Sequence, residues 1–128
     1  MTEVFLEHAN VTVSDPQKTA KELSDLFGWH VRWQGESKMG GYTIHVGGED
    51  SYLAIYSLGN GKTDKADNTY STIGGLNHLG IVVEDLDAAE DRIKAAGYQT
   101  HNHGDYEPGR RFYFDNSDGI EIEVVSYA

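Results

Sequence analysis

The chain has 128 residues, enough for one modest core and too few for several. Its 21 acidic and 10 basic side chains leave a formal charge of −11, a field that repels nucleic-acid backbones and anionic membrane surfaces. There is no cysteine, which excludes disulfides and thiolate metal sites, and no apolar run approaches a membrane span. The opening Met1-Thr2-Glu3-Val4 lacks a basic stretch leading into an apolar one, so the expected address is the cytoplasm. In chain order, the first strand is expected at about residues 4–13. Asp15-Pro16 then starts a helix whose apolar stripe is Ala20, Leu23, Leu26 and Phe27, and Gly28 ends it. Strands follow near 30–34, 41–46 and 51–57, divided by Gly40-Gly41 and Gly47-Gly48. A second strand–helix pair occupies about 77–83 and 86–96, with Asp85 or Asp87 as cap and a stripe of Leu86, Ala89, Ile93 and Ala96. Strands near 98–102, 110–115 and 119–126 complete the chain, the last entered through Asn116-Ser117-Asp118-Gly119.

The two halves are copies. His8-Ala9-Asn10-Val11-Thr12-Val13-Ser14-Asp15 returns as His78-Leu79-Gly80-Ile81-Val82-Val83-Glu84-Asp85. The helix-ending Gly28-Trp29 returns as Gly97-Tyr98, with the offset slipped by one residue. An internal repeat decides architecture before any single side chain does. We expect a single domain of two β-α-β-β-β modules, 1–57 and 76–128, joined by a polar linker at 58–75. Neither half alone could bury its sheet.

Strand alternation assigns faces. Val11 and Val13 should pack under the first helix, with His8, Asn10 and Thr12 opposite. Leu79, Ile81 and Val83 should pack under the second, with His78 opposite. Ile120, Ile122 and Val124 belong with the helix, and Glu121 and Glu123 with the histidines. Alternation and the repeat also put Tyr42, Tyr52, Tyr56, Arg111 and Tyr113 on the histidine face. Histidines, carboxylates and phenols do not make a hydrophobic core, so that face should be a partly wet binding surface. Tyrosine offers flat apolar area with a polar tip, which suits an aromatic or hydroxylated ligand.

Three motifs in this order resemble the vicinal oxygen chelate superfamily of glyoxalases, bleomycin resistance proteins and extradiol dioxygenases. They are His8-x-x-Val-x-Val-x-Asp15, His78-x-x-Ile-x-Val-x-Asp85, and the run from Phe112 to Glu123 with its Asp118-Gly119 turn. The resemblance implies an α+β fold in which two β-α-β-β-β modules pair into a curled, cup-shaped mixed sheet. It implies a divalent metal (Fe, Mn, Zn or Ni) held by His8, His78 and Glu123, with Glu121 as the reserve ligand. It further implies a small-molecule substrate with adjacent oxygens, and a homodimer that covers free strand edges. The fourth ligand position falls on Ala54, beside Tyr52 and Tyr56, so this chain departs from the glyoxalase I pattern there. Two histidines and one carboxylate form the facial set associated with non-haem Fe(II) oxygen chemistry. The implied activity is ring-cleaving dioxygenation, or a lyase or isomerase step of the glyoxalase type. Tyr113 and Glu121 are the candidates for catalytic roles, and Tyr42, Tyr52, Tyr56 and Arg111 for substrate contacts. The alternative is a metal-free binding protein of the bleomycin-resistance type, in which Arg111 answers the Glu123 charge. His101-Asn102-His103 reads as a solvated loop rather than a second metal site. His30 and His45 have no repeat partner and receive no role.

Overall fold

The computed structural model describes residues 3–59 and 64–128. These fall into two compact units, Met1–Thr63 and Asp64–Ala128. Residues 60–63 of the expected linker lie outside the described residues. In the first unit the order is β1 (His8–Thr12), α1 (Pro16–Phe27), β2 (His30–Glu36), β3 (Tyr42–Gly47) and β4 (Tyr52–Ser57), with a short 3-10 turn at Lys38–Gly40. The second has β5 (Leu79–Val82), α2 (Leu86–Ala95), β6 (Thr100–Tyr106), β7 (Gly109–Asp115) and β8 (Glu121–Ser126). Each unit holds one four-stranded mixed sheet, ordered β1-β4-β3-β2 and β5-β8-β7-β6. The first strand of each unit runs parallel to the last, and the remaining pairs are antiparallel. Among the described residues, no helix is long and apolar enough to cross a membrane.

Local chemistry sets the helix ends. The Asp15 carboxylate accepts from the Lys18 N–H ahead of Pro16, and Gly28 closes α1 at φ 71°, a left-handed conformation that favours glycine. Asp85 caps α2 by accepting from the Ala88 N–H, whereas Asp87 pairs with Arg110. Ala20, Leu23 and Leu26 are buried under the first sheet as the stripe requires, and Leu86, Ala89 and Ile93 under the second. Ala96 is the exposed C-cap instead of a core residue. Ile44, Val46 and Ile55 complete the first core, and Phe112, Phe114, Ile122 and Val124 the second, none more than 1% exposed. Burying such side chains stabilises each by about 1.5–3 kcal/mol.

Two strand boundaries differ from expectation. β1 begins at His8 instead of residue 4, because its only partner β4 begins opposite it at Tyr52. β6 runs on through His101-Asn102-His103 to Tyr106, where a loop was expected. The pairing jumps between His101↔Tyr113 and Gly104↔Arg111, so β6 carries one extra residue there. Asn102 sits at φ 53°, which its short side chain tolerates, and this is a β-bulge.

Candidate functional site

Each sheet packs its helix on one face and leaves the other, the far face, for polar side chains. In the second unit β7 and β8 place Arg111, Tyr113, Glu121 and Glu123 on that face, since Tyr113 lies opposite Glu123 and Asp115 opposite Glu121. His78, just ahead of β5, joins them. Its Nε2 is 3.1 Å from Glu123 Oε1, and its Nδ1 is 3.6 Å from Glu121 Oε1. Arg111 Nη1 donates to the other Glu123 oxygen, Oε2, at 2.8 Å. This ion pair is part-buried, its side chains 13% and 12% exposed. The guanidinium carbon lies 4.8 Å from the centre of the Tyr106 ring. Arg111 Nε and Nη2 are buried without a hydrogen-bond partner among the described residues. The Tyr113 ring meets His78 edge-on at 5.5 Å and stacks on His101 at 6.4 Å.

Tyr70 was not expected here. Asn68 organises its loop, accepting from the Tyr70 and Ser71 N–H groups and from the Thr72 hydroxyl. The Tyr70 hydroxyl donates to Glu121 and lies 3.3 Å from His78 Nδ1. That bond to a carboxylate, reinforced by desolvation, pushes the Tyr70 phenol up to about 12. Burial, followed by the Glu123 charge, raises the Tyr113 phenol as well. Both tyrosines therefore stay protonated at neutral pH, the Tyr70 proton being held by Glu121. No alternation or repeat signal marks a lone tyrosine in a linker, so sequence reasoning could not find Tyr70.

The far face of the first unit is a row of rings. His8 stacks on Tyr52 at 4.8 Å, Tyr52 on His45 at 4.4 Å, and Trp33 leans on His45 at 5.0 Å. Arg32 sits 4.6 Å from the Tyr52 ring centre. Glu7 Oε1 accepts from the Tyr52 hydroxyl and pairs with His8 Nδ1 at 3.0 Å. The contacts from His8 and then Tyr52 hold the Glu7 carboxyl below its usual range. His45 is lowered by burial first and by the neighbouring His8 second. Tyr56 shares this face by register, but its hydroxyl donates to the Lys38 carbonyl and ties β4 to the 3-10 turn.

Two assignments change. Tyr42 lies opposite Ser57 on the helix face, with its hydroxyl donating to Gln34, so it is not on the histidine face. His45 is on that face, opposite Ala54. One physical reason explains both. Four residues join β3 to β4 and five join β7 to β8, and a one-residue slip turns every side chain of a strand to the other face. Tyr42 therefore matches Arg110, which lies opposite Ser126, and His45 matches Tyr113. The Ala54 alignment survives: Ala54 pairs with Asn10 as Glu123 pairs with Gly80.

Two donors each about 2.1 Å from one ion, at right angles, lie about 3 Å apart. The 3.1 Å between His78 Nε2 and Glu123 Oε1 therefore fits two ligands of one divalent metal. Among the described residues, no group of three or more His, Asp or Glu side chains is arranged to hold a metal ion. The bulge in β6 splits His101 from His103: His101 stacks on Tyr113, while His103 packs on Phe112 and bonds Glu90 of α2 at 2.6 Å.

A family model described as Glyoxalase/Bleomycin resistance protein/Dioxygenase superfamily matches residues 5–124. No curated protein matches the sequence. Solved structures do. A glyoxylase/bleomycin resistance protein/dioxygenase domain from Frankia sp. EAN1pec is 22% identical with a TM-score of 0.80, covering 98% of each chain. TnmS3, an antibiotic binding protein from Streptomyces sp. CB03234, is 20% identical with a TM-score of 0.77, covering 100% of this chain and 99% of its own. The fosfomycin resistance protein FosX from Listeria monocytogenes, solved with Mn(II) and sulfate, is 19% identical with a TM-score of 0.72. That match covers 98% of this chain and 93% of FosX. At these identities the likeness establishes the fold.

Proposed function

The chain belongs to the glyoxalase/bleomycin resistance protein/dioxygenase superfamily, and on that premise we propose a metal-dependent vicinal oxygen chelate enzyme acting on a small molecule with two adjacent oxygens. The observation that carries this reading is the 3.1 Å approach of His78 Nε2 to Glu123 Oε1. His8, at the equivalent point of the repeat, is the proposed third ligand. Its Nδ1 contact with Glu7 fixes the ring and leaves Nε2 for coordination. A bound divalent ion would supply Lewis acidity and a template for the paired oxygens. Tyr113 is the proposed hydrogen-bond donor to a substrate oxygen, and Glu121, positioned by the Tyr70 hydroxyl, is the proposed acceptor of a substrate proton. Tyr52, His45 and Trp33 offer aromatic surface to an unsaturated or ring-bearing substrate. Ala54 stands where a fourth ligand would be, which favours ring-cleaving dioxygenation over the glyoxalase reaction. FosX, with Mn(II), is a family precedent for metal use.

Metal analysis of protein purified without a chelating column tests the proposal. Near-stoichiometric Fe, Mn, Zn or Ni, lost in His8→Ala/His78→Ala, supports it. Protein that stays metal-free after incubation with all four ions refutes it.

A second reading has its own support, because the part-buried Arg111–Glu123 ion pair satisfies the carboxylate with no metal at all. On that reading the chain is a metal-free binding protein, as TnmS3 is described as an antibiotic binding protein. We also propose a homodimer, since β1 and β5 each pair on one side only within their sheets. Monomeric mass by light scattering across a concentration series would contradict it.

A further inference from the structure

We propose that Tyr70 is a built-in occupant of the ligand seat, a phenol carried by the turn at residues 68–72 that a hydroxylated aromatic ligand must displace. The inference rests on small-molecule binding at this face, which both readings above share. The Tyr70 hydroxyl donates to Glu121 Oε1 and lies 3.3 Å from His78 Nδ1. Those two atoms stand 3.6 Å apart, and their side chains are partly open to solvent, 33% for His78 and 22% for Glu121. A free phenol reaching this place has the same two contacts available.

Little but that oxygen holds Tyr70. The residue is 61% exposed, unlike Tyr113, which is half-buried on β7 with its ring against His78 and His101. Its turn is knit internally. Asn68 accepts from the Tyr70 and Ser71 N–H groups and the Thr72 hydroxyl, and the Gly75 N–H donates to the Thr72 carbonyl. Ile73 beside it is fully exposed, an apolar side chain that a docked segment would cover. The turn thus has bonds enough to move as one piece and too little packing to be held down.

Displacement exchanges one phenol–carboxylate bond for another, so the incoming hydroxyl recovers what Tyr70 gives up. The opposing factor is tethering, because the chain presents its own phenol at a high effective concentration. A ligand with no hydroxyl donor leaves Glu121 without that bond and recovers nothing, so it does not displace the turn. Tyr70 is in this way a filter as well as a plug. It admits rings that donate a hydrogen bond and rejects equally flat rings that do not.

The experiment titrates the full chain with phenol, and with anisole, which has the ring and the oxygen but no proton to donate. Nuclear magnetic resonance follows binding in wild type, Tyr70→Phe, Tyr70→Ala and Tyr70→Ala/Glu121→Ala. Both single variants should bind phenol about tenfold tighter than wild type or more, the difference that one hydrogen bond to a charged group makes. The double variant should lose that gain, and anisole should gain nothing in any of them. In wild type, saturating phenol should move the Tyr70 ring signals toward those of free tyrosine. If wild type binds phenol and both single variants bind it equally or more weakly, Tyr70 supports the ligand instead of blocking it. The proposal is then overturned while small-molecule binding stands. A gain that survives in the double variant, or that anisole shares, also overturns it, because Glu121 is then not selecting a hydroxyl. If none of the four proteins binds phenol, the proposal falls on its own, since the metal analysis above tests the wider reading separately.

Discussion

At the same register point of their sheets, the first unit carries Ala54 between Asn10 and His45, and the second carries Glu123 between Gly80 and Tyr113. One step along, His8 lies opposite Tyr52 and stacks on it, whereas His78 meets Glu121. A common backbone pattern thus holds rings on one side of the repeat and charges on the other. The ring row coheres mainly by stacking, with Glu7 and Arg32 at its edge. The charged network works only if each member is answered, which is why Arg111 and Tyr70 are recruited from β7 and the linker. Duplicating a module fixes where side chains stand, and the residue placed there decides whether the face binds by stacking or by charge.

The largest test of this comparison lies beneath the two faces. Phe112 pairs with Val124 as Ile44 pairs with Ile55, and all four are fully buried. Phe112→Ala should destabilise by about 3–5 kcal/mol and Ile44→Ala by about 2–4. Urea melts measure both costs, and hydrogen exchange shows whether the two units lose protection together. Exchange confined to the mutated unit would mean that each core stands alone.

Next in size is Glu123→Gln. It leaves Arg111 with a neutral acceptor in a buried place and should cost about 2–3 kcal/mol in metal-free protein. It should also abolish metal binding at micromolar ion. Unchanged metal affinity would move the ligand elsewhere.

Importing the charge into the first unit tests the other side of the comparison. Ala54→Glu should destabilise the metal-free protein, since the position is 1% exposed, and should tighten metal binding if the glutamate becomes a fourth ligand. Tyr56→Glu should not tighten it, because its register position is two residues further along β4. The reverse result would mean that the repeat has been aligned one strand step out.

The smallest effect is confined to high pH. Tyr70 is raised from 10.0 to about 12 in the folded chain. Its contribution is therefore complete below pH 10 and is lost as pH climbs through about 12. Absorbance titration should show a tyrosine ionising near pH 12 that is absent from Tyr70→Phe. An unchanged titration in the variant would mean that Tyr70 does not hold Glu121 in solution.

Much of this was legible in the residues. The paired histidine motifs, the capped helices and the Asn116–Gly119 turn are local patterns with local causes. The turn closes because Asn116 Oδ1 accepts from the Asp118 and Ile120 N–H groups, with Gly119 at φ 80°. His78, Glu121, Glu123, Arg111 and Tyr113 share a face because alternation within β7 and β8 is unbroken. Tyr42 and His45 were misread because the two hairpins differ by one residue, which a fixed repeat offset cannot register. Tyr70 was invisible because only the folded linker brings its hydroxyl to Glu121. The β6 boundary was missed because a bulge at Asn102 leaves no mark in composition.

That bulge also makes sidedness a question of chain length. In an uninterrupted strand, losing one residue would reverse the facing of everything beyond it. At Asn102 the extra residue is already there, so His101 serves Tyr113 on one surface while His103, two positions on, grips Glu90 on the other. Deleting the extra residue would leave the two histidines consecutive in a regular strand, where successive side chains still face opposite ways. Asn102 is thus a place where the chain can change length by one residue while each imidazole keeps its own side.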